Sequence, residues 1–210
     1  MGLTLPNVLT IFRMVLIPLL ITLILSNHPG WALLVFILAG VTDGLDGLVA
    51  RRYKQSSRLG AFLDPTADKL LMTACFIVLS IPDHPKTIPE FEIANHIPIY
   101  LTIVTISRDV FIVMLALLMH LTSGVASFPP SALGKLTTLT QILTVGVVLL
   151  LNTLNRPAPI LVLGLGWFTL ALTVSSGLHY IYRASRLGEA QAPPERAPAQ
   201  DVRERLRQKK

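Results

Sequence analysis

The chain contains six apolar runs, each of about the length, roughly 20 residues, that a helix needs to cross the hydrocarbon core of a bilayer. The runs lie at residues 7–26, 31–52, 65–81, 97–120, 134–153 and 158–182. Most of the separating segments are rich in Asn, Pro, Gly or Ser, which favour turns. With 52% hydrophobic and 14% charged residues, the chain is too apolar for an ordinary soluble domain. We therefore predict an all-α, polytopic membrane protein with six transmembrane helices.

Lysine and arginine residues are concentrated on one side of this predicted bundle. Those near the second connection and after the sixth run are Arg51, Arg52, Lys54, Arg58, Arg183 and Arg186. The connections after the first, third and fifth runs carry zero, one and one basic residues. Because cytoplasmic loops retain Lys and Arg, we expect both termini in the cytoplasm. The formal net charge of +6 then matches an anionic membrane surface, and we expect membrane lipid, not nucleic acid, as the partner.

The composition divides the chain into two parts. Residues 1–186 form the predicted membrane domain. Residues 187–210 mix Pro, Ala, Gln and both charge signs without apolar periodicity. We expect this second part to be a basic cytoplasmic tail that is disordered or forms a short surface helix.

Four aspartates interrupt the apolar pattern at the predicted cytoplasmic ends of two helices. A carboxylate at membrane depth costs on the order of 2.5–3.5 kcal/mol, and bound cations offset this cost most directly. Asp43 and Asp46 are spaced i, i+3, and Asp64 and Asp68 are spaced i, i+4, so each pair projects from one helix face. Such hard oxygen ligands suit Mg²⁺, Mn²⁺ or Ca²⁺. Two metals held in this way are a recurrent arrangement for phosphoryl transfer.

The spacing of this segment resembles the signature of the CDP-alcohol phosphatidyltransferase family, D-x2-D-G-x2-A-R-x8-G-x3-D-x3-D. The eight matching positions, within 26 residues, are Asp43, Asp46, Gly47, Ala50, Arg51, Gly60, Asp64 and Asp68. Weaker resemblance extends over residues 5–185 and does not cover the tail. The resemblance implies an enzyme of phospholipid biosynthesis that transfers a phosphatidyl group from CDP-diacylglycerol to an alcohol and releases CMP.

The resemblance also implies roles for individual residues. The implied ligands of two Mg²⁺ or Mn²⁺ ions are Asp43, Asp46, Asp64 and Asp68. Asp68 is in addition the implied general base, and no covalent enzyme intermediate is expected. The residues implied to bind the CDP-diacylglycerol donor are Gly47, Ala50, Arg51 and Gly60, joined by Asn7, Thr10 and Arg13, which repeat every three residues along the first helix.

The acceptor alcohol is indicated by two cations within apolar runs. Arg108 stands beside Asp109 in the fourth run, and Lys135 begins the fifth. A phosphate on the acceptor would explain both cations, although Arg108 could instead form a structural ion pair and Lys135 could snorkel to the interface. The run I-S-R-D-V, followed later in the chain by Gly134, Lys135, Thr138 and Gln141, resembles cardiolipin synthases more than phosphatidylglycerophosphate synthases. We therefore expect phosphatidylglycerol as the acceptor, with glycerol 3-phosphate as the alternative.

Two functions of other classes compete with an enzyme. In a cation-coupled transporter, carboxylates inside a six-helix bundle coordinate a permeating ion, but such a path needs polar residues across the membrane depth. Here the aspartates cluster at one end, which favours an active site that faces the cytoplasm. A lipid-binding scaffold would have little need for the full signature. The resemblance further suggests a homodimer formed through the membrane domain and a bacterial or mitochondrial inner membrane as the location.

Overall fold

A computed structural model of the chain contains six helices. It describes the backbone of residues 5–53, 58–81, 94–123 and 131–191, and the side chains of residues 8–44, 66–81, 94–115, 117–118 and 131–182. The helices are α1 (Leu5–Leu25), α2 (Pro29–Tyr53), α3 (Arg58–Leu79), α4 (Ile99–Ser123), α5 (Ala132–Thr153) and α6 (Pro159–Gln191). No strand occurs in these described ranges, so the prediction of an all-α chain with six helices is confirmed.

Two helix boundaries differ from those of the apolar runs. α3 begins at Arg58, before the third apolar run starts at Pro65, so this proline lies within the helix. The apolar pattern missed the first turns of α3 because they are partly polar. A helix depends on backbone hydrogen bonds and not on apolar side chains, and a proline removes only one of these bonds. α6 continues past residue 182 to Gln191 and so includes the first residues of the predicted tail. Residues 192–210 of that tail lie outside the described part of the chain.

The helices pack around a closed ring. α1 packs against α2 and α3, α2 against α5, α5 against α6, α6 against α4, and α4 against α3. α3 also contacts α5 across the ring. The turn between α1 and α2 is short because Asn27 adopts a φ of 59°, a left-handed conformation that asparagine tolerates better than most residues. The first three helices therefore form one wall of the bundle, and α5 joins that wall to α4 and α6.

The outer surface of the bundle is apolar, and polar groups lie inside. Large hydrophobic side chains face outward on all six helices; Val15, Met114 and Ile160 are 61%, 64% and 86% exposed. Inside, the hydroxyl groups of Thr144 and Thr169 lie 3.0 Å apart and join α5 to α6. Buried small and polar residues of this kind hold helices together in lipid, where hydrophobic burial gives no driving force between helices.

Three helices are long and apolar enough to cross a membrane, judged by length and composition within the described residues. These segments are Val8–Leu25, Ala132–Thr153 and Pro159–Tyr182. A shorter apolar stretch, Pro29–Gly44, ends where the aspartates of α2 begin. Membrane association follows from these helices, whereas six complete spans remain a prediction.

A buried amide network closes the end of the bundle where α5 finishes. The Asn95 backbone N and Nδ2 donate to Oδ1 of Asn152 at 3.0 and 3.1 Å, and Asn152 Nδ2 donates to the Asn95 carbonyl at 3.0 Å. The Ala158 backbone N donates to Asn95 Oδ1 at 2.8 Å. Asn152 lies about 21 Å along α5 from Thr138, at roughly 1.5 Å per residue. The network thus fixes the bundle at the end far from the first turns of α5.

Candidate active site

Arg13 lies between two of the four predicted aspartates. Its Nη1 donates to Oδ1 of Asp43 at 3.0 Å and also contacts Oδ1 of Asp68. α1, α2 and α3 each supply one of these three residues. The contacts therefore join the first three helices and confirm that α2 and α3 bring Asp43 and Asp68 to one place.

The burial of these three side chains is unequal. Arg13 is fully buried, whereas the side chains of Asp43 and Asp68 are 50% and 46% exposed. Removing an unpaired ion from water costs several kcal/mol, so a buried guanidinium needs carboxylate partners. The two aspartates compensate the charge of Arg13 while their exposed parts remain accessible to a ligand.

Asp46 and Asp64 lie on the same two helices, but their side chains fall outside the described residues. Asp46 follows Asp43 by one turn of α2, and Asp64 precedes Asp68 by one turn of α3. The helical register therefore places each pair along one face, as the spacing predicted. Among the side chains that the structure describes, no group of three or more His, Cys, Asp or Glu could hold a metal. The site with four carboxylates remains a prediction.

The predicted donor-binding residues lie on helices around this point. The backbones of Gly47, Ala50 and Arg51 belong to α2, that of Gly60 to α3 and that of Asn7 to α1. The side chains of Asn7, Ala50 and Arg51 lie outside the described set. Thr10 precedes Arg13 by one turn of α1 and is fully buried, so both residues face the bundle interior. Contact of these residues with the donor is not tested by the geometry and stays a prediction.

A cavity of about 270 Å³ opens beside the two described carboxylates. Asp43 and Asp68 line it from α2 and α3, and Thr138 lines it from α5. Thr138 follows Lys135 by three residues, so the two share one face of α5. The first turns of α5 therefore lie next to the carboxylates.

Arg108 of α4 is held by three groups. Its Nη1 donates to Oδ1 of Asp109 at 2.7 Å, and its Nη2 donates to the hydroxyl of Ser176 at 2.7 Å. Its Cζ lies 5.8 Å from the centroid of the Tyr180 ring, within the range of a cation–π contact. The ion pair with Asp109 that the sequence offered as an alternative is thus present, and α6 adds two further contacts.

The start of α5 is built against Arg108. Ser131 caps the helix by accepting a hydrogen bond from the Gly134 backbone N at 3.0 Å, and its own backbone N donates to the Tyr180 hydroxyl at 3.1 Å. A Cβ added to Gly134 would lie 3.4 Å from Nη2 of Arg108. Glycine therefore allows the guanidinium to approach the N-terminal turn of α5. Lys135, which follows Gly134, is exposed.

Sequence reasoning missed several of these contacts. It assigned Arg13 to the donor and not to Asp43 and Asp68, although a lone arginine in an apolar helix is a signal for an acidic partner at the same depth. It gave no role to Ser176 or Tyr180, because their register on α6 does not reveal which helix they face.

A family model described as CDP-alcohol phosphatidyltransferase matches residues 3–175. That range contains all four aspartates as well as Arg108 and Lys135. Every predicted site residue therefore falls within the matched part of the chain.

Three curated relatives illustrate the similarity. The "CDP-diacylglycerol--glycerol-3-phosphate 3-phosphatidyltransferase" of Haemophilus influenzae is 36% identical over 186 residues, which cover 86% of this chain and 93% of the relative. The "Cardiolipin synthase (CMP-forming)" of Rattus norvegicus is 33% identical over 199 residues, covering 87% of this chain and 62% of the relative. The "Putative cardiolipin synthase" of Mycobacterium tuberculosis is 34% identical over 137 residues, which cover 65% of this chain and 59% of the relative. The chain thus spans most of the first relative and about three fifths of the other two.

Replacement of Arg13 by methionine should destabilise the bundle, because Asp43 and Asp68 would lose their shared cation. Since both carboxylates are about half exposed, we expect a loss of about 1–3 kcal/mol, below the about 3–5 kcal/mol of a fully buried pair. Thermal unfolding in detergent measures this change. Arg13→Lys, which keeps the charge, should recover part of the stability. Equal unfolding temperatures for the wild type and Arg13→Met would contradict the assignment.

Proposed function

Since the chain belongs to the CDP-alcohol phosphatidyltransferase family, we propose that it transfers a phosphatidyl group from CDP-diacylglycerol to a glycerol-type acceptor and releases CMP. Family membership makes the chain a transferase of phospholipid biosynthesis, so the transporter alternative is not retained. The observation that carries the proposal is the convergence of Asp43 and Asp68 beside the first turns of α5.

The proposed cofactor is a pair of Mg²⁺ or Mn²⁺ ions held by Asp43, Asp46, Asp64 and Asp68. Carboxylate oxygens are the ligands that such hard cations prefer. The described pair fits this purpose, because Asp43 and Asp68 approach the same Arg13 nitrogen from different helices and are each about half exposed. When bound, the ions would neutralise negative charge on the diphosphate of the donor.

Asp68 is the proposed general base. It takes the proton of the acceptor hydroxyl as that oxygen bonds to the phosphorus that carries diacylglycerol. The bond from this phosphorus to the bridging oxygen breaks, and CMP leaves with the electron pair, so one displacement completes the transfer without a covalent enzyme intermediate. The contact of Arg13 with Oδ1 of Asp68 fixes the orientation of the carboxylate.

Arg108 and Lys135 are the proposed binding residues for a phosphate on the acceptor. The Nε–H of Arg108 is buried without a hydrogen-bond partner among the described residues. An unpaired buried donor costs roughly 1–3 kcal/mol, and a phosphate oxygen would satisfy it. The N-terminal end of α5, which carries partial positive charge, adds to the attraction for an anion. These features support an acceptor that carries a phosphate.

We favour phosphatidylglycerol as the acceptor, which makes the chain a cardiolipin synthase. Lys135 is exposed beside outward-facing Leu136 and Leu139, so its charge adjoins a surface suited to lipid. An anionic lipid headgroup could reach such a cation by diffusion within the membrane. Glycerol 3-phosphate is the second candidate, favoured by the Haemophilus relative, which is named for that acceptor and matches over most of its length.

The proposed setting is a bacterial or mitochondrial inner membrane, crossed by all six helices. Outward-facing apolar side chains on every helix support this arrangement. The basic residues at the adjoining ends of α2 and α3 and in the last turns of α6 support cytoplasmic termini and a cytoplasmic active site. A homodimer through the membrane domain remains part of the proposal on the basis of the family resemblance alone.

The proposal is tested by CMP release from purified protein with CDP-diacylglycerol and Mg²⁺ or Mn²⁺. Phosphatidylglycerol, glycerol 3-phosphate, inositol phosphate and serine are offered in separate reactions. We expect release with phosphatidylglycerol. Release with glycerol 3-phosphate alone would replace the first candidate by the second, and a folded protein that is silent with every acceptor would contradict the proposed reaction.

Replacement of Asp68 by asparagine should lower the rate of CMP release by at least about 100-fold, because the acceptor hydroxyl loses its general base. The neighbouring variant Lys69→Gln changes an exposed charge on the same turn of α3 and should leave the rate within about twofold. Thermal unfolding of both variants separates lost chemistry from lost folding. Wild-type turnover in Asp68→Asn would remove the general-base assignment.

Replacement of Arg108 by alanine should raise the KM for a phosphate-bearing acceptor by about 10- to 100-fold, the value of a hydrogen bond to a charged group. The KM for CDP-diacylglycerol should change little. Arg156→Ala serves as the control, because Arg156 is an exposed arginine near the far end of α5. An unchanged acceptor KM in folded Arg108→Ala protein would limit Arg108 to a structural ion pair.

A further inference from the structure

The cavity beside the carboxylates has polar groups at one end and apolar walls beyond them. Its lining residues are Phe36, Ile37, Ala39, Gly40, Asp43, Asp68, Leu71, Met72, Thr138 and Ile142. They come from α2, α3 and α5. Only three of them, Asp43, Asp68 and Thr138, carry polar side-chain atoms. The other lining residues are apolar or glycine.

On each of the three helices, one polar residue lines the cavity, and the lining residues beyond it are apolar or glycine. On α2, Asp43 is followed towards the N-terminus by Gly40 and Phe36, at intervals that keep them on one face. On α3, Asp68 is followed by Met72, and on α5, Thr138 is followed by Ile142, each one turn further on. A ligand that matches this cavity has a polar group next to the carboxylates and a hydrocarbon part beneath it.

The size and the location of the cavity narrow the choice of ligand. Its volume of about 270 Å³ lies just below the range of about 300–1,000 Å³ that pockets for whole small molecules occupy. It therefore holds part of a ligand. The apolar portion runs alongside Pro29–Gly44, the apolar stretch of α2, which lies within the hydrocarbon region if α2 crosses the membrane.

We propose that this cavity binds one acyl chain of the CDP-diacylglycerol donor, with Gly40 as the residue that determines how much of the chain is accepted. The inference rests on the proposed function, because it assumes that this donor is the substrate. The polar head of the donor then lies beside Asp43 and Asp68, where the reaction takes place. The chain descends between α2, α3 and α5.

Gly40 is suited to this role because the space next to it is open. A Cβ built on Gly40 would meet nothing within 4 Å. A larger side chain at this position would therefore enter the cavity without a clash with neighbouring protein atoms. Gly164 of α6 offers a matched control, since its Cβ would also meet nothing within 4 Å and it does not line the cavity.

The test compares Gly40→Leu with Gly164→Leu. The kcat/KM for CMP release is measured with long-chain and short-chain CDP-diacylglycerol in the same detergent. We expect Gly40→Leu to lower the ratio of long-chain to short-chain kcat/KM by at least about tenfold, because burial of each methylene is equivalent to roughly a factor of four in an equilibrium constant. Gly164→Leu should leave this ratio within about twofold.

A second variant acts in the opposite direction. Met72 lines the cavity from α3, and Met72→Ala enlarges it. We expect the preference to move towards longer or bulkier donor chains, by about threefold or more, as additional methylenes become buried. Opposite shifts in Gly40→Leu and Met72→Ala support the assignment even where one variant is less stable than the wild type.

The outcomes separate this inference from the proposed function. If the wild type releases no CMP from CDP-diacylglycerol, the proposed function fails. If the wild type is active and the chain-length ratio is the same in Gly40→Leu and Gly164→Leu, the acyl-chain site is overturned. If the selectivity changes only when the chains of phosphatidylglycerol are varied, the cavity serves the acceptor and the assignment to the donor is wrong.

Discussion

A single buried charge organises the part of the bundle that contains the candidate active site. The guanidinium of Arg13 lies inside the bundle and is compensated by Asp43 and Asp68. Because an uncompensated ion in this environment is costly, α1 must bring Arg13 to the place where α2 and α3 supply carboxylates. The same contacts that hold three helices together therefore also fix the positions of two carboxylates on which the proposed chemistry depends.

The packing of the rest of the bundle reflects an outer surface that is suited to lipid and not to water. Apolar side chains face outward, so attraction between helices has to come from close packing and from buried polar contacts. Asn95 and Asn152 supply such contacts at the end where α5 finishes. Arg13 and its partners supply them on the wall formed by α1, α2 and α3. Buried polar contacts therefore hold the helices together at both of these places.

Much of this arrangement could be predicted from the sequence, and the limits have physical causes. Apolar length predicts the number of helices, and the spacings of Asp43 to Asp46 and of Asp64 to Asp68 predict that each pair shares a helix face. Periodicity does not reveal which helix a face meets, so the pairing of Arg13 and the contacts of Ser176 were missed. The start of α3 was misplaced because hydropathy reports solvent preference and not backbone conformation.

The two halves of the proposed reaction belong to different parts of the bundle. The carboxylates are held by α1, α2 and α3, whereas Arg108 is held on α4 by Ser176 and Tyr180 of α6. α5 touches both parts, since Thr138 lines the carboxylate cavity and Gly134 lies against Arg108. If Arg108 binds the acceptor as proposed, changes on α4 and α6 would alter acceptor binding without moving the carboxylates. The proposed division would then allow one helical bundle to serve phosphatidyl transfer to more than one alcohol.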